Sequence, residues 1–161
     1  MKTITITYIS SRKLARLECD RLLEQYPDIE LAALTAGANA GEMWLALSRS
    51  QVAVIDEEIM LRDGGETLAM LLLGNPFVKF LAVMSKFNED NMLWAISRGV
   101  RGVMLRRELS QLLAKAIRQV SQGEVWMPRN LFPSLQDALN RHEPGLSCPD
   151  GDQTSPRSRL H

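Results

Sequence analysis

The first residues of the chain alternate between polar and apolar side chains and then change to a helical spacing. Residues 3–9 alternate threonine with isoleucine or tyrosine, and this period of two predicts a β-strand. Leu14, Leu17, Leu22 and Leu23 follow at helical spacings. The opening segment is therefore predicted to be a strand followed by an amphipathic helix.

The same succession of strand and helix recurs four more times. The further strands are predicted at residues 29–34, 52–56, 80–84 and 102–105, and apolar helical patterns follow at 43–47, 68–72, 92–96 and 109–120. The run Val52–Ile55 is continuously apolar and ends at Asp56, which is typical of a parallel strand buried on both faces. Five strand-helix units predict an α/β fold, a doubly wound five-stranded parallel sheet with helices on both faces.

Polar side chains stand where the predicted strands end. In open parallel sheets, ligands bind beyond the carboxyl ends of the strands, so these positions are the candidate lining of a site. They are Ser10, Ser11, Asp56, Ser85 and Arg106.

The segment after Gly123 has a different pattern. Residues 130–139 form a plausible sixth helix with Leu131, Leu135 and Leu139 on one stripe, and an exposed apolar stripe requires a partner. Residues 142–161 are rich in Pro, Gly, Ser and Asp and hold few apolar side chains, so we expect this tail to be disordered.

Composition narrows the class of protein. The chain has 161 residues, 45% apolar and 24% charged, which is the balance of one soluble globular domain with an appendage. Its apolar runs are far shorter than the roughly 20 residues that span a bilayer, so no membrane segment or signal peptide is expected. Two cysteines and two histidines cannot form a disulfide framework or a zinc cluster, and the expected compartment is the reducing cytoplasm.

Charge is balanced overall and uneven along the chain. Nineteen basic and nineteen acidic residues cancel, whereas residues 98–129 hold seven basic and two acidic residues. Arg98, Arg101 and Arg107 in this basic segment are candidates for a partner interface, and a solvated face is the alternative.

Five segments in order along the chain resemble a known family. They are Val54-Ile55-Asp56, Asp63-Gly64, Met84-Ser85, residues 95–106 and residues 116–128. In them the sequence resembles the receiver domains of bacterial two-component response regulators, in particular the NarL/LuxR type. The resemblance implies a flavodoxin-like receiver fold, with Asp56 at the phosphoacceptor position and Ser85 at the phosphoryl-binding position. From the residues alone, Asp56 can also be a polar strand end, and Ser85 a helix cap or loop hydroxyl.

The sequence departs from this family at the positions that carry its chemistry. Ser10 and Ser11 stand where the family has an acidic pair, and Arg106 stands where it has a lysine. Val103 replaces the switching aromatic residue, and Met60 replaces a proline. The resemblance therefore implies a degenerate receiver, or pseudo-receiver.

These departures change the expected chemistry around Asp56. Mg²⁺ prefers carboxylate and phosphate oxygens, and serine hydroxyls bring no negative charge, so we expect weak or absent Mg²⁺ binding and no other cofactor. Arg106 keeps the positive charge of the lysine but carries it on a planar guanidinium group. We therefore expect a permanent, bidentate ion pair between Arg106 and Asp56.

The function predicted from these features is that of a non-enzymatic, receiver-like regulatory protein. We expect it to act through protein contacts in transcriptional or two-component control, to form a homodimer and to have no membrane partner. The predicted units are a receiver-like domain at 1–124, a linker helix at 125–141 and the tail at 142–161. The 38 residues after Gly123 show no recognition helix, so no direct nucleic-acid binding is expected.

Three other functions stay open at this point. The chain can be a phosphorylatable response regulator that accepts phosphate at Asp56, or a LuxR-type transcription factor without its DNA-binding domain. The third function is binding of cyclic di-GMP. The run Trp126-Met127-Pro128-Arg129 is similar to a Trp-x-Thr/Ser-Arg motif that binds this dinucleotide in one branch of the family, although Pro128 stands where the motif has a hydroxyl residue.

Overall fold

The computed structural model describes residues 2–12, 14–35 and 40–141, and the tail predicted to be disordered lies outside these ranges. The strands are β1 (Ile4–Ile9), β2 (Ile29–Thr35), β3 (Val52–Asp56), β4 (Lys79–Met84) and β5 (Gly102–Leu105). The helices are α1 (Ala15–Leu23), α2 (Ala40–Leu47), α3 (Glu57–Met60), α4 (Glu66–Gly74), α5 (Glu89–Arg98), α6 (Leu109–Ser121) and α7 (Phe132–Asn140).

The five strands form one parallel sheet in the order β2-β1-β3-β4-β5. This confirms the predicted doubly wound α/β fold. In β3, successive side chains alternate between the two faces, and all five residues are buried, as the continuous apolar run predicted. None of the helices in the described ranges is long and apolar enough to cross a membrane.

Each face of the sheet carries its own hydrophobic core. On one face α1 and α6 pack against side chains such as Val52, Val54 and Met104. On the other face α2, α3, α4 and α5 pack against side chains such as Ala53 and Ile55. Because side chains alternate along a strand, those of the even-numbered residues of β3 point toward α1 and α6.

A left-handed turn between α3 and α4 was not foreseen from the sequence. Asp63, Gly64 and Gly65 have φ values of 53°, 67° and 93°. Gly65 lies against the buried indole of Trp94 in α5, and a Cβ at Gly65 would lie 2.3 Å from Trp94 Cζ2. Glycine is required at Gly65 both for the backbone conformation and for the close approach of the ring.

The substitution Gly65→Ala is expected to destabilise the chain more than Gly123→Ala. Gly123 has nearly the same φ, +91°, with open space where a Cβ would stand, so the two variants share the conformational penalty. Only Gly65→Ala must displace an indole, which adds about 1–3 kcal/mol to the loss. Urea unfolding measures the free energy of unfolding of both variants. Equal losses of stability would show that the Trp94 indole can move aside without an energetic cost.

The segment after α6 packs onto the body of the fold, which is the sheet together with α1 to α6. The backbone of Trp126 pairs with the edge strand β5, since Trp126 N donates to Arg101 O at 3.1 Å and Val103 N donates to Trp126 O at 2.9 Å. Leu131 is fully buried in the same core as α5, and the Ser134 hydroxyl contacts the Glu89 carboxylate of α5.

The predicted apolar stripe on the last helix is therefore corrected at Leu131. Leu131 belongs to the core of this chain and cannot contact a partner. Leu135 is half-buried and Leu139 is exposed. A helical stripe marks the side of a helix that is buried, and here its first residue is buried by the helix's own chain.

Candidate functional site

Asp56 is fully buried at the carboxyl end of β3, directly before α3. Because parallel strands end at one edge of the sheet, Ser10 after β1 and Arg106 after β5 lie at the same edge. The sequence predicted this convergence, and the structure brings Ser10, Asp56 and Arg106 together.

Both carboxylate oxygens of Asp56 accept hydrogen bonds from β1 and the residue after it. The Tyr8 hydroxyl donates to Oδ1 at 3.0 Å, and the Ser10 hydroxyl donates to Oδ2. Ser10 Oγ in turn accepts from the backbone N of Arg12 at 3.1 Å. The carboxylate is thus held by two neutral donors inside the protein.

Tyr8 is the site residue that the sequence analysis missed. It is buried, and it pairs with Val54 in the parallel register of β1 and β3. Side chains two residues apart share a face of the sheet, so Tyr8, Ser10 and Asp56 point to the same side. The only signal in the sequence is that a phenol occurs among the aliphatic residues of β1, two residues before Ser10.

The expected bidentate pair between Arg106 and Asp56 is not observed. Arg106 Nη2 lies 4.0 Å from Asp56 Oδ2, at the limit of an ion pair. Tyr8 and Ser10 each donate a hydrogen bond to one of the two oxygens and so compete with the guanidinium for their lone pairs. Arg106 contributes positive charge beside Asp56 without clamping it.

Ser85 is turned toward Glu57 and not toward Asp56. Its backbone N and its hydroxyl donate to Glu57 Oε1 at 3.1 and 2.9 Å, while Asn91 Nδ2 donates to Glu57 Oε2 at 3.3 Å. The side chain of Asn88 caps α5. Ser85 therefore lies in the loop after β4, and its hydroxyl links this loop to α3 through Glu57. The remaining predicted site residue, Ser11, is exposed.

The surroundings of Asp56 raise the pKa of its carboxyl group. Burial raises the pKa of the Asp56 carboxyl above its ordinary value of 3.8, and the hydrogen bonds from Ser10 and Tyr8 and the charge of Arg106 oppose this rise. Burial and the negative charge of Asp56 also raise the pKa of Tyr8, so the phenol stays a donor at neutral pH.

The variant Asp56→Asn is expected to change the pH dependence of stability. Because the pKa of Asp56 is higher in the folded chain, its contribution is most favourable below the unfolded-state value of 3.8 and is lost as the pH rises through the folded-state value. The free energy of unfolding of the parent relative to Asp56→Asn should fall over this range, by about 1.4 kcal/mol for each tenfold difference in proton affinity.

Urea unfolding of both proteins at a series of pH values measures this difference. Glu58→Gln, which removes an exposed carboxylate next to the site, is the matched control. Parallel curves for the parent and Asp56→Asn would contradict the raised pKa.

The residues present do not fit a magnesium ion. Both Asp56 oxygens accept hydrogen bonds, Glu57 is engaged by Ser85 and Asn91, and the two residues after β1 are serines. Within the described ranges, no three His, Cys, Asp or Glu side chains come together as metal ligands. An octahedral site needs one or two carboxylates whose oxygens converge on the ion, whereas the carboxylates of Asp56 and Glu57 are directed at their own hydrogen-bond donors.

The candidate interface arginines are exposed and make local contacts. The Arg98 guanidinium lies 5.6 Å from the centre of the Trp94 ring. Arg101 Nη2 donates to Gly123 O at 3.4 Å. Arg107 is exposed in the 3₁₀ turn that precedes α6, and none of these contacts shows a partner.

The chain was compared with known proteins by sequence and by structure. No family model matches it. The nitrate/nitrite response regulator NarL of Escherichia coli (strain K12) is 26% identical over 162 residues, which cover 96% of this chain and 71% of NarL.

Two solved structures superpose on nearly the whole described body. The apo REC domain of RcsB from Salmonella enterica serovar Typhimurium has a TM-score of 0.72 at 13% identity and covers 83% of this chain and 99% of that chain. A LuxR-family two-component response regulator from Aurantimonas sp. SI85-9A1 has a TM-score of 0.69 at 19% identity and covers 86% of this chain and 99% of that chain. The chain therefore has the receiver fold.

Proposed function

We propose that this chain is a receiver-like regulatory module of the NarL/LuxR type that signals without accepting phosphate. The observation that carries the proposal is the state of Asp56, which is fully buried with a hydrogen bond on each carboxylate oxygen. The similarity to NarL over 96% of the chain supports the family part of the proposal.

Phosphoryl transfer needs an acceptor oxygen that is open to in-line approach, and a cation that neutralises the developing charge. Here the Tyr8 phenol and the Ser10 hydroxyl each donate a hydrogen bond to one of the two candidate oxygens, and the whole carboxyl group is buried. The serines at positions 10 and 11 remove the negative charge that would hold Mg²⁺. Asp56 then serves as a structural group that ties β3 to β1.

A module without a phosphorylation switch acts through surfaces that are always present. The proposed partners are proteins, including a second copy of the chain, and the proposed role is regulatory and non-enzymatic. The balanced overall charge of the chain favours protein partners over nucleic acid.

Intact-mass spectrometry after incubation with Mg²⁺ and acetyl phosphate tests the proposal. The expected result is no added phosphoryl group on the parent, with NarL treated in parallel as the positive control. An added group that disappears in Asp56→Asn would overturn the proposal and show a phosphorylatable regulator. An added group that persists in Asp56→Asn lies on another residue, and it would also overturn the proposal, because the module would then accept phosphate at a second site.

A further inference from the structure

Two cavities lie side by side at the amino-terminal edge of the sheet, opposite the edge that holds Asp56. Their volumes are about 630 and 320 Å³, and Phe77 and Lys79 line both of them, so the two form one groove. We refer to it as the amino-end groove, and its charged and aromatic lining residues are Lys2, Asp28, Phe77, Lys79, Arg101 and Arg118.

Phe77 gives the groove an exposed aromatic ring on an ordered turn between α4 and β4. Its side chain is 90% exposed. The buried Asn75 anchors the turn, since its Nδ2 donates to Leu71 O at 2.9 Å and its carbonyl accepts from Val78 N at 3.1 Å. Because the backbone of the turn is already ordered, less conformational freedom is lost when a partner contacts the ring, and this favours binding.

One acidic side chain lines the groove among the described residues, and a partner within the chain neutralises it. Arg118 Nε and Nη2 donate to the two carboxylate oxygens of Asp28, each at 2.8 Å. These hydrogen bonds lower the pKa of the Asp28 carboxyl, so Asp28 stays ionised and paired at neutral pH. The pair therefore adds no net charge to the groove.

Three cations remain in the groove without an acidic partner there. Within the ranges that the structure describes, Lys2 and Lys79 form no salt bridge. Arg101 Nη2 donates to a neutral carbonyl, Gly123 O, at 3.4 Å. A surface with uncompensated positive charge is complementary to an anionic partner. The groove thus combines positive charge with an exposed ring at Phe77.

The groove has the length of a short extended peptide. Lys2 precedes β1, Lys79 begins β4 and Arg101 precedes β5, and the sheet order places β3 between β1 and β4. Neighbouring strands lie about 4.8 Å apart, so β1 and β5 are separated by roughly 14 Å. An extended chain advances by about 3.5 Å per residue, so about five residues cover this distance.

Charge outside the groove favours a short acidic segment over nucleic acid. Residues 1–97 hold thirteen acidic and nine basic residues. A nucleic-acid strand extends beyond the groove and would approach these carboxylates, whereas a short peptide contacts the local cations alone. A peptide can also place an apolar side chain against the Phe77 ring beside its own carboxylates.

We propose that the amino-end groove binds an extended acidic segment of a partner protein. Carboxylates of the segment pair with Lys2, Lys79 and Arg101, and an apolar side chain of the segment packs against Phe77.

This inference rests on the proposed function in one respect, because it gives the chemistry of the proposed protein contact. Phosphate labelling at Asp56 and peptide binding in the groove concern opposite edges of the sheet, so each proposal can fail alone.

Fluorescence anisotropy of a labelled probe peptide, titrated with the full chain at low salt, tests the groove. The probe has about six residues, glutamates around a central leucine, and a second probe replaces every glutamate with glutamine. We expect the glutamate probe to bind about tenfold more tightly, because the glutamine probe has the same length without the charge. Moderate salt should weaken its binding, since exposed charges are screened.

Variants of the lining residues locate the binding surface. The combination of Lys2→Gln, Lys79→Gln and Arg101→Gln should weaken binding of the glutamate probe about tenfold, the size expected of three exposed ion pairs. Phe77→Ser should weaken it about threefold through loss of the apolar contact. These side chains are exposed or half-buried, so the variants should keep the circular dichroism spectrum and unfolding midpoint of the parent.

The matched controls change exposed residues outside the groove. Lys86→Gln, Arg107→Gln and Lys115→Gln together remove the same number of positive charges. Phe87→Ser removes an exposed ring from the loop after β4, at the edge of the sheet that holds Asp56. Both control proteins should bind the glutamate probe as tightly as the parent does.

No binding of the glutamate probe, or equal binding of the two probes, would overturn the proposal. Equal losses in the groove variants and in the control variants would overturn it too. A single-stranded oligonucleotide that displaces the glutamate probe and binds more tightly would contradict it by assigning the groove to nucleic acid.

Discussion

Labelling at Asp56 by a small phosphodonor is expected when Ser10→Asp and Ser11→Asp are combined with Arg106→Lys and Tyr8→Phe, and the parent is expected to stay unlabelled. The two introduced aspartates supply the negative charge that Mg²⁺ requires. The introduced lysine replaces the planar guanidinium group of Arg106 with a compact ammonium group. Tyr8→Phe removes the phenol from Asp56 Oδ1 and frees that oxygen. Intact mass after treatment with Mg²⁺ and acetyl phosphate measures the gain.

The same variant should respond to Mg²⁺ in its stability. Three carboxylates without a metal repel one another and raise the proton affinity of at least one, so the variant should be less stable than the parent in chelator. Added Mg²⁺ should recover about 1.4 kcal/mol at ten times its Kd, and the parent should barely respond. Urea unfolding with and without Mg²⁺ measures both proteins.

Two further variants separate the causes. Asp56→Asn in the restored background should abolish the label and identify the acceptor. The triple variant that keeps Tyr8 is the matched control for the phenol, and it should be labelled more slowly because Oδ1 still accepts a hydrogen bond. No label in the restored variant, despite Mg²⁺ binding, would show that the acceptor is blocked by something other than these four side chains.

Leu131→Ala is expected to destabilise the chain by about 2–5 kcal/mol, the usual range for a leucine removed from a well-packed core. Leu131 is fully buried against the core that contains α5, although it lies after the edge strand and after α6. The loss of its side chain leaves a cavity that the 3₁₀ turn Arg129–Leu131 and α7 can fill only in part.

Leu139→Ala is the control for this loss. Leu139 belongs to the same predicted stripe but is 64% exposed, so its truncation should change the free energy of unfolding by less than about 0.5 kcal/mol. Urea unfolding compares the two variants. Equal small effects would mean that the segment after α6 contributes nothing to the stability of the body, against the packing seen at Leu131.

Several elements of this protein could be read directly from the residue pattern. The alternation of residues 3–9 predicted β1, and the apolar run before Asp56 predicted a central strand. Such patterns are local. The spacing of apolar residues differs between strands and helices, and a segment of about five to ten residues is long enough to show which spacing it has. The order of strands and helices then implied which polar residues share one edge of the sheet.

The partners of those polar residues were decided by the tertiary structure. Tyr8 reaches Asp56 only because β1 lies beside β3 in a register that pairs Tyr8 with Val54. That contact joins residues 48 positions apart, and no local pattern encodes such a distance.

The burial of Leu131 and the exposure of Leu139 were decided in the same way. Both leucines belong to one predicted apolar stripe, yet Leu131 is buried in the core that contains α5, while Leu139 is exposed on α7. The sequence by itself determined the elements, their order and the presence of serines at positions 10 and 11, because these depend on residue identity and local spacing. Which oxygen is occupied and which leucine is covered depend on contacts between distant segments, and those exist only once the sheet and its helices have packed.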